Sequence, residues 1–417
     1  MQDFSFLHMA DLHLGSPFRG LSVDDPHAAR QFAQAIRDAF TALVDRAVEA
    51  RVDFVVIAGD VYDREWKDAA VGLFFNLEMA KLARAGIPAF IVKGNHDAAS
   101  VVTRAVTLPA GVHTFGVTRA TTLEVPGLPV VLHGQSYRDR EAPDNLARGY
   151  PSAVPGRFNI GVLHTSMTGH EGHDPYAPCT EADLVALGYD YWALGHIHVP
   201  QMVRAAAPPI VYPGCIQGRS VRECGPRGAM LVRVRDGVPE LEPWVADRVR
   251  WCVAEVDCAA IDDFAQVPAV VEQAVGEATA AAGERPVALR VVLGGATALH
   301  DRMHAHRDEV DLEVAAAAQR ARADVWLEKC VLATRPPAAA PGLVPDLAAA
   351  DGLDPLTALD AVRDDPASAD TVKEDITRLL AKLPPGDHHL PDAAAVLAEA
   401  RALLGARLGE RAGGRDA

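Results

Sequence analysis

Three apolar runs open the chain: FSFLHMA (residues 4–10), VDFVVIA (52–58) and PAFIVK (88–93), with a long amphipathic stretch between each pair. In the first stretch Phe32, Ile36, Phe40, Leu43 and Ala47 fall on one helical face, behind Asp25 as N-cap and Pro26 at the first helical position. The second, DAAVGLFFNLEMAKLARAG, stops at Gly86, a residue type suited to ending a helix. Strands joined through helices lie parallel, with right-handed crossovers. The chain therefore begins β-α-β-α-β, and that opening constrains the fold more than any other feature.

Shorter strands follow in VHTFG, TTLEV, PVVLHG, FNIGVLHT, YDYWALG, PIVYPG and GAMLVRVRDG, interrupted by one short helix around TEADLVALG. The fold expected is a mixed α/β sandwich with its functional loops at the carboxyl ends of strands. Near residue 245 a second, smaller α/β unit begins. Its strands are WCVAEVD, PVALRVVLGG and DVWLEKCVLATR, and its helices FAQVPAVVEQAVGEATAAA and TALHDRMHAHRD. The organisation expected is a domain over 1–240, a second over 245–335, a Pro/Ala-rich linker over 336–355 and a helical tail over 356–417.

Composition narrows the class. No run of 18 apolar residues is long enough to span a bilayer, and no secretory leader pattern opens the chain, so a cytoplasmic protein without membrane attachment is expected. The six cysteines form no CxxC pair, which fits reduced, mostly buried thiols. A net charge of −16 argues against a broadly basic nucleic-acid binder. The acidity is uneven, however: residues 1–240 carry 22 Lys+Arg against 26 Asp+Glu, and the rest 18 against 30.

Five motifs sit at strand ends: ADLH (Asp11, His13), AGDVYD (Asp60, Asp63), KGNHD (Asn95, His96, Asp97), LHTS (His164) and GHIH (His196, His198). Loops at the ends of a buried sheet can aim several ligands rigidly into one space. Carboxylate, amide oxygen and imidazole without thiolate suit Mn2+, Fe or Zn. These groups exceed what one tetrahedral site needs, and they divide over two ions if one carboxylate bridges. Two ions about 3.5–4 Å apart clamp phosphoryl oxygens and activate water near neutral pH. In LGHIH, residues i and i+2 of an extended segment lie about 6.5–7 Å apart on one face, which suits two neighbouring ions at least as well as one shared ion.

In this order the motifs resemble the calcineurin-like metallophosphoesterase superfamily. LHMADLHLG, GDVYD, YDYWALGHIH and YPGCIQGRS look more narrowly like bacterial DNA repair exonucleases of the SbcD/YhaO type. The resemblance covers roughly residues 1–235, and the second unit resembles the family's DNA-capping domain more weakly. It implies a four-layer α/β/β/α sandwich with a smaller α/β capping domain and a helical tail. It further implies two divalent metal ions, most readily Mn2+, with Asp11, His13 and His198 on the first and Asn95, His164 and His196 on the second. Asp60 would bridge them, His96 would act as acid or transition-state stabiliser, and Asp97 would orient it. Asp63 stands where some relatives have His, which points away from a phosphate contact and to a role in supporting the ligands from behind or in structuring the loop. The implied activity is a metal-dependent DNA exonuclease or endonuclease, and the implied partners are DNA ends, a coiled-coil ABC-type ATPase docked through the tail, and a second copy of the chain.

Blander readings hold for other residues. His8 and His133 lie inside strand runs and read as core. His170, His173 and Asp174 belong to a loop that is either solvated or substrate-facing, while His300, His304, His306, His388 and His389 read as surface or helix histidines. Arg19, Arg64, Lys67, Arg138, Arg140, Arg219 and Arg222 neighbour the motif loops; Arg19, Arg64, Arg219 and His173 are the candidate substrate contacts. Two other functions remain compatible with the sequence: a phosphodiesterase or phosphatase for a small phosphoester, and a non-catalytic scaffold on the same fold.

Overall fold

A computed structural model of the chain describes residues 2–16, 26–63, 69–99, 107–167 and 176–337, with isolated positions beyond. The chain divides into two compact units, Met1–Cys252 with Ala282–Ala288, and Val253–Ala281 with the residues from Leu289 onward. The division falls past the 240–245 boundary expected from the sequence because Val238–Val245 is a strand of the first unit. It pairs with Gly228–Arg235 along its whole length. Two prolines disguise it in the sequence, and an edge strand tolerates them.

The first unit contains two six-stranded sheets. One is built from β1 (Phe4–Met9), β2 (Phe54–Ala58), β3 (Ala89–Val92) and β4 (Val112–Thr114), all parallel, with β11 (Gly228–Arg235) and β12 (Val238–Val245) antiparallel at one side. The crossovers are α1 (Pro26–Ala50) and α2 (Ala69–Arg84), as the apolar spacing predicts; Asp25 itself lies outside the described residues. The other sheet has parallel β6 (Val130–Gly134), β7 (Phe158–His164), β8 (Tyr191–Gly195) and β10 (Ile210–Tyr212), with β5 (Thr121–Glu124) and β9 (Gln201–Arg204) antiparallel at its edges. The short edge strand β9 has no apolar run to announce it in the sequence.

Period-two alternation sends side chains to two faces of the first sheet. Leu7, Val55, Ile57 and Ile91 meet Ile36, Phe40, Phe75 and Met79 of the helices. Phe6, Phe54, Val56 and Phe90 meet Phe158, Ile160, Tyr191 and Ala193 of the second sheet. Phe6 stacks on Phe54 at 4.9 Å and meets the Tyr191 ring edge-on at 5.3 Å. The outer face of the second sheet carries Trp192, Leu194, Ile210 and Tyr212 under a thin cover, the single-turn helix α4 (Glu181–Val185), a 3-10 turn at Leu146–Gly149 and loops. The four layers are thus α/β/β/α, the fourth mostly loop.

The second unit holds a sheet of β13 (Arg250–Asp257), β14 (Val287–Ala296) and β15 (Val325–Arg335), with helices α5 (Val267–Thr279), α6 (His300–Ala305) and α7 (Arg307–Ala321). Helix α7 goes beyond the TALHDRMHAHRD reading. Its buried stripe, Val310, Val314, Ala317 and Ala318, is half alanine and gives little contrast with its exposed face. Nearly all of the linker and tail expected over 336–417, His388 and His389 included, lies outside the described residues.

Phe6 fills the space between the sheets, so Phe6→Ala should destabilise the protein by about 3–5 kcal/mol. Urea unfolding measures this, and a loss below about 1 kcal/mol would contradict the packing role.

Candidate metal centre

The five motifs meet at one edge of the sandwich, where β1, β2, β3, β7 and β8 all end. Past the last paired residues of β1 and β2 the two chains remain stitched together. Asp11 N–H donates to Gly59 O at 3.0 Å, His13 N–H to Asp60 O at 3.0 Å and Leu14 N–H to Val61 O at 2.9 Å. Asp11, His13, Asp60 and His196 all have positive φ, at 52°, 45°, 53° and 101°. Non-glycine residues adopt that region at a cost and chiefly where surrounding bonds enforce it. Here the enforcing bonds include His196 N–H to both Asp11 carboxylate oxygens at 3.1 Å and His96 N–H to Asp60 Oδ1 at 2.9 Å. His196 thus breaks the extended geometry expected for LGHIH. Ile197 still turns into the core, and the two imidazoles go to different neighbours.

The His198 ring lies 4.9 Å from that of His13, with the two Nε2 atoms 3.1 Å apart. The His196 ring lies edge-on to that of His164 at 5.2 Å. Donor atoms gather in three overlapping groups, Asp11–His13–His198, His13–Asp60–His96 and Asp11–Asp60–His164, each within 4.8 Å of one another. Asn95 Oδ1 joins the last group, 3.0 Å from His164 Nε2. All are buried except His96 and His198, which are partly exposed. Two imidazole nitrogens, or an imidazole nitrogen and an amide oxygen, at such distances share either a hydrogen or a metal ion, since two facing lone pairs would repel. The buried His13 Nδ1 has no hydrogen-bond partner among the described residues. This donor set fits hard or borderline divalent ions.

Glycine is required at the crowded approaches. A Cβ at Gly94 would stand 2.3 Å from Asp60 Oδ1 and 2.8 Å from His164 Cε1 and Nε2. The glycine before NHD thus reserves space for two ligand candidates.

Comparison with known proteins fits this arrangement. Residues 4–200 match the family described as calcineurin-like phosphoesterase, and residues 251–335 match the middle domain of metallophosphoesterase YhaO. The metallophosphoesterase YhaO of Bacillus subtilis is 35% identical over 299 residues, covering 71% of this chain and 72% of that protein. The chain belongs to the YhaO family of metallophosphoesterases. More distant relatives include the DNA double-strand break repair protein Mre11 of Archaeoglobus fulgidus, 29% identical over 55% of this chain and 53% of that protein. Mre11 of Thermoplasma acidophilum is 27% identical over 57% of this chain and 64% of that protein. The chain thus spans between half and two thirds of these Mre11 proteins.

Hydrogen bonds aim the rings of this YhaO-family site. His164 Nδ1 lies 2.9 Å from Ala58 O; a carbonyl only accepts, so Nδ1 carries the proton and Nε2 faces the cluster. His96 Nδ1 lies 2.8 Å from Asp63 Oδ1. The carboxylate on His96 is therefore that of Asp63, where the sequence pointed to Asp97. Asp97 accepts instead from the backbone N–H groups of Val61, Tyr62 and Gly94 at 3.2, 3.0 and 3.1 Å, tying the AGDVYD loop to KGNHD. His198 Nδ1 lies 2.6 Å from Glu223 Oε1. The sequence reading missed Glu223, which belongs to a 3-10 turn rather than a strand end. Its spacing of four from Arg219 was the available signal.

Arg219, a candidate phosphate contact, is largely buried and bonded to Glu223 and to Ser16 Oγ at 3.3 Å. Arg138, Arg140 and Arg222 are exposed, while Arg19, Arg64, Lys67, His170, His173 and Asp174 lie outside the described residues. His8 and His133 are core residues. His8 contacts Tyr191 Oη and Leu194 O, and His133 lies between Thr122 and Asn159 and stacks on Tyr189 at 4.4 Å. Burial pushes the His8 imidazole down to about 3, so it stays neutral. In the second unit His300 bonds Thr334 and lies 4.4 Å from the tilted ring of His304. An open groove of about 800 Å³ lined by Arg51, Asp53, His113 and Gly127 holds none of the motif residues.

The charges at the site are interdependent. Burial raises the Asp11 carboxyl above the usual range, with His198 and His164 pulling the other way. Burial acts on Asp60 likewise, but His164, His13 and His96 together outweigh it and hold Asp60 well below that range. In return Asp60 lifts His164 to about 9 against the effect of its burial. His13 is pushed far down by burial, with Arg219 and His198 adding to it. Glu223 is held below the carboxylate range because His198 and Arg219 together overcome its burial.

Gly94→Ala should leave the far-UV circular dichroism unchanged and lower metal-dependent phosphodiester turnover about 100-fold, the order expected for a misplacement near 1 Å. Unchanged turnover would mean that Asp60 and His164 tolerate the displacement.

Proposed function

We propose that this metallophosphoesterase is a DNA nuclease with a dinuclear centre, working as the nuclease subunit of a DNA repair complex. The observation carrying this reading is the convergence of three donor groups that share Asp11, His13 and Asp60. Asp11, His13 and His198 would hold one ion, Asn95, His164 and His196 the other, and Asp60 would bridge. When bound, the ions, most readily Mn2+, supply Lewis acidity toward phosphoryl oxygens and lower the pKa of water. Asp11 and Asp60 would fix the distance between the two positions, since backbone N–H groups of His196 and His96 anchor their carboxylates. His96, partly exposed and held through Nδ1 by Asp63, would present Nε2 to the leaving sugar oxygen and protonate it as the P–O bond breaks. A scaffold role is less well supported, because a scaffold has no need for strained ligand residues.

Two observations favour DNA over a small phosphoester. The Mre11 relatives are named for DNA double-strand break repair. The second unit matches the YhaO middle domain and adds surface that a small substrate does not require. A coiled-coil ABC-type ATPase is the partner expected for the tail.

With Mn2+ the full chain should degrade linear DNA and turn over a small phosphodiester much more slowly; the reverse preference would sink the nuclease reading. His96→Ala should cost about 10²–10⁴-fold in DNA cleavage without loss of metal, with Asp63→Asn losing less and in kcat rather than KM. Truncation after residue 335 should keep metal binding and lose pull-down of the ATPase; retained pull-down would move the docking site into the earlier residues.

A further inference from the structure

YPGCIQGRS and the residues behind it form a strap around His198. Cys215 N–H donates to His198 O at 3.0 Å, and Arg227 Nη1 donates to the same oxygen at 3.0 Å. Arg227 also binds Glu223 O at 3.2 Å through Nε and Cys224 O at 2.5 Å through Nη2. Arg219 grips the Glu223 carboxylate from backbone and side chain, N–H to Oε2 at 2.7 Å and Nη2 to Oε1 at 3.0 Å. Its Nη1 reaches Ser16 Oγ, in the loop that follows Asp11 and His13. Glu223 is thus braced from two sides with Oε1 on His198 Nδ1 at 2.6 Å.

That contact decides what His198 can do. An ionised carboxylate only accepts, and at 2.6 Å it lies closer to Nδ1 than the donor Arg219 Nη2 does at 3.1 Å, so Nδ1 carries the proton and the lone pair sits on Nε2. Nε2 lies 3.9 Å from Asp11 Oδ1 and 3.1 Å from His13 Nε2, inside the first donor group. His198 is also 25% exposed at its side chain, whereas Asp11 and His13 are at 1% or less. Packing alone therefore restrains this ring least among the three, and a hydrogen bond has most to contribute.

We propose that Glu223, braced by Arg219 and Arg227, is a positioning residue that sets the tautomer and aim of His198 and thereby the affinity of the Asp11–His13–His198 position. The proposal rests on the dinuclear reading above and goes beyond it, because it makes residues 215–227 part of one metal position and not of the other. Carboxylates that orient a ligating histidine commonly account for about 10–100-fold in metal affinity.

The test is Mn2+ titration of the full chain by calorimetry, with electron paramagnetic resonance to separate coupled pairs from single ions. The wild type should bind two Mn2+ per chain; fewer would overturn the dinuclear reading itself. Glu223→Gln, nearly isosteric and able to keep Arg219 in place, should weaken one of the two ions about 10–100-fold and leave the other unchanged, replacing the coupled signal by a single-ion one. Glu223→Ala should do the same more strongly, and Glu223→Gln decides if the alanine variant does not fold. Added to His198→Ala, Glu223→Gln should have no further effect on Mn2+ affinity. Two ions weakened equally would make Glu223 a general brace of the fold, and two unaffected ions would remove it from the site; either overturns the proposal.

Discussion

One hydrogen bond ties the two sheets together where the chemistry sits: His164, last residue of β7, donates Nδ1–H to Ala58 O, last residue of β2. The contact demands close approach of the sheets, and the flanking residues are cut to allow it. A Cβ at Gly195 would fall 2.0 Å from Ala58 O, and one at Gly59 2.4 Å from His164 Nδ1. Because the bond uses Nδ1, the other nitrogen of His164 faces Asn95 and Asp60. The aromatic layer of Phe6, Phe54 and Tyr191 holds the sheets in register from within, so loops from both end at the same level.

The backbone beyond the strands is strained at the site, which holds four of the seven non-glycine residues with positive φ among the described residues. Asp11, His13, Asp60 and His196 occupy positive φ, while nearly all of α1, α2 and the inter-sheet core need no such concession. Each carboxylate is held by backbone N–H from a different strand-end loop, Asp11 by that of His196 and Asp60 by that of His96. The candidate ligand positions are therefore determined in pairs across loops. A change in one loop is felt by a donor from another strand, which makes the centre cooperative in its geometry.

What the sequence revealed was whatever is periodic or local. The β-α-β-α-β opening was legible because Phe32, Ile36, Phe40 and Leu43 keep helical spacing and the strands are apolar throughout. The donor residues were legible because each follows an apolar run directly. Strand β12 was hidden by its prolines and α7 by its alanines. The partner of His96 was misread because Asp97 is adjacent in sequence, while Asp63 arrives from another strand and is 33 residues away. The tie of Glu223 to His198 was hidden for the same reason, since it lies 25 residues from the ring it holds. Long-range pairs of this kind leave no local pattern.

The formal charge of −16 remains an argument against DNA only if charge is averaged over the chain. At the strand ends Glu223 is neutralised by Arg219, and Asp97 is enclosed by backbone N–H groups. Asp63 sits on His96 Nδ1, and Asp11 and Asp60 are the carboxylates among the proposed ligands. Two divalent cations there would more than cancel them, turning a buried acidic pair into a cationic floor for a phosphodiester. Under the nuclease reading proposed above, an acidic chain would engage a polyanion through its loaded centre, and affinity for DNA should follow metal occupancy as well as ionic strength.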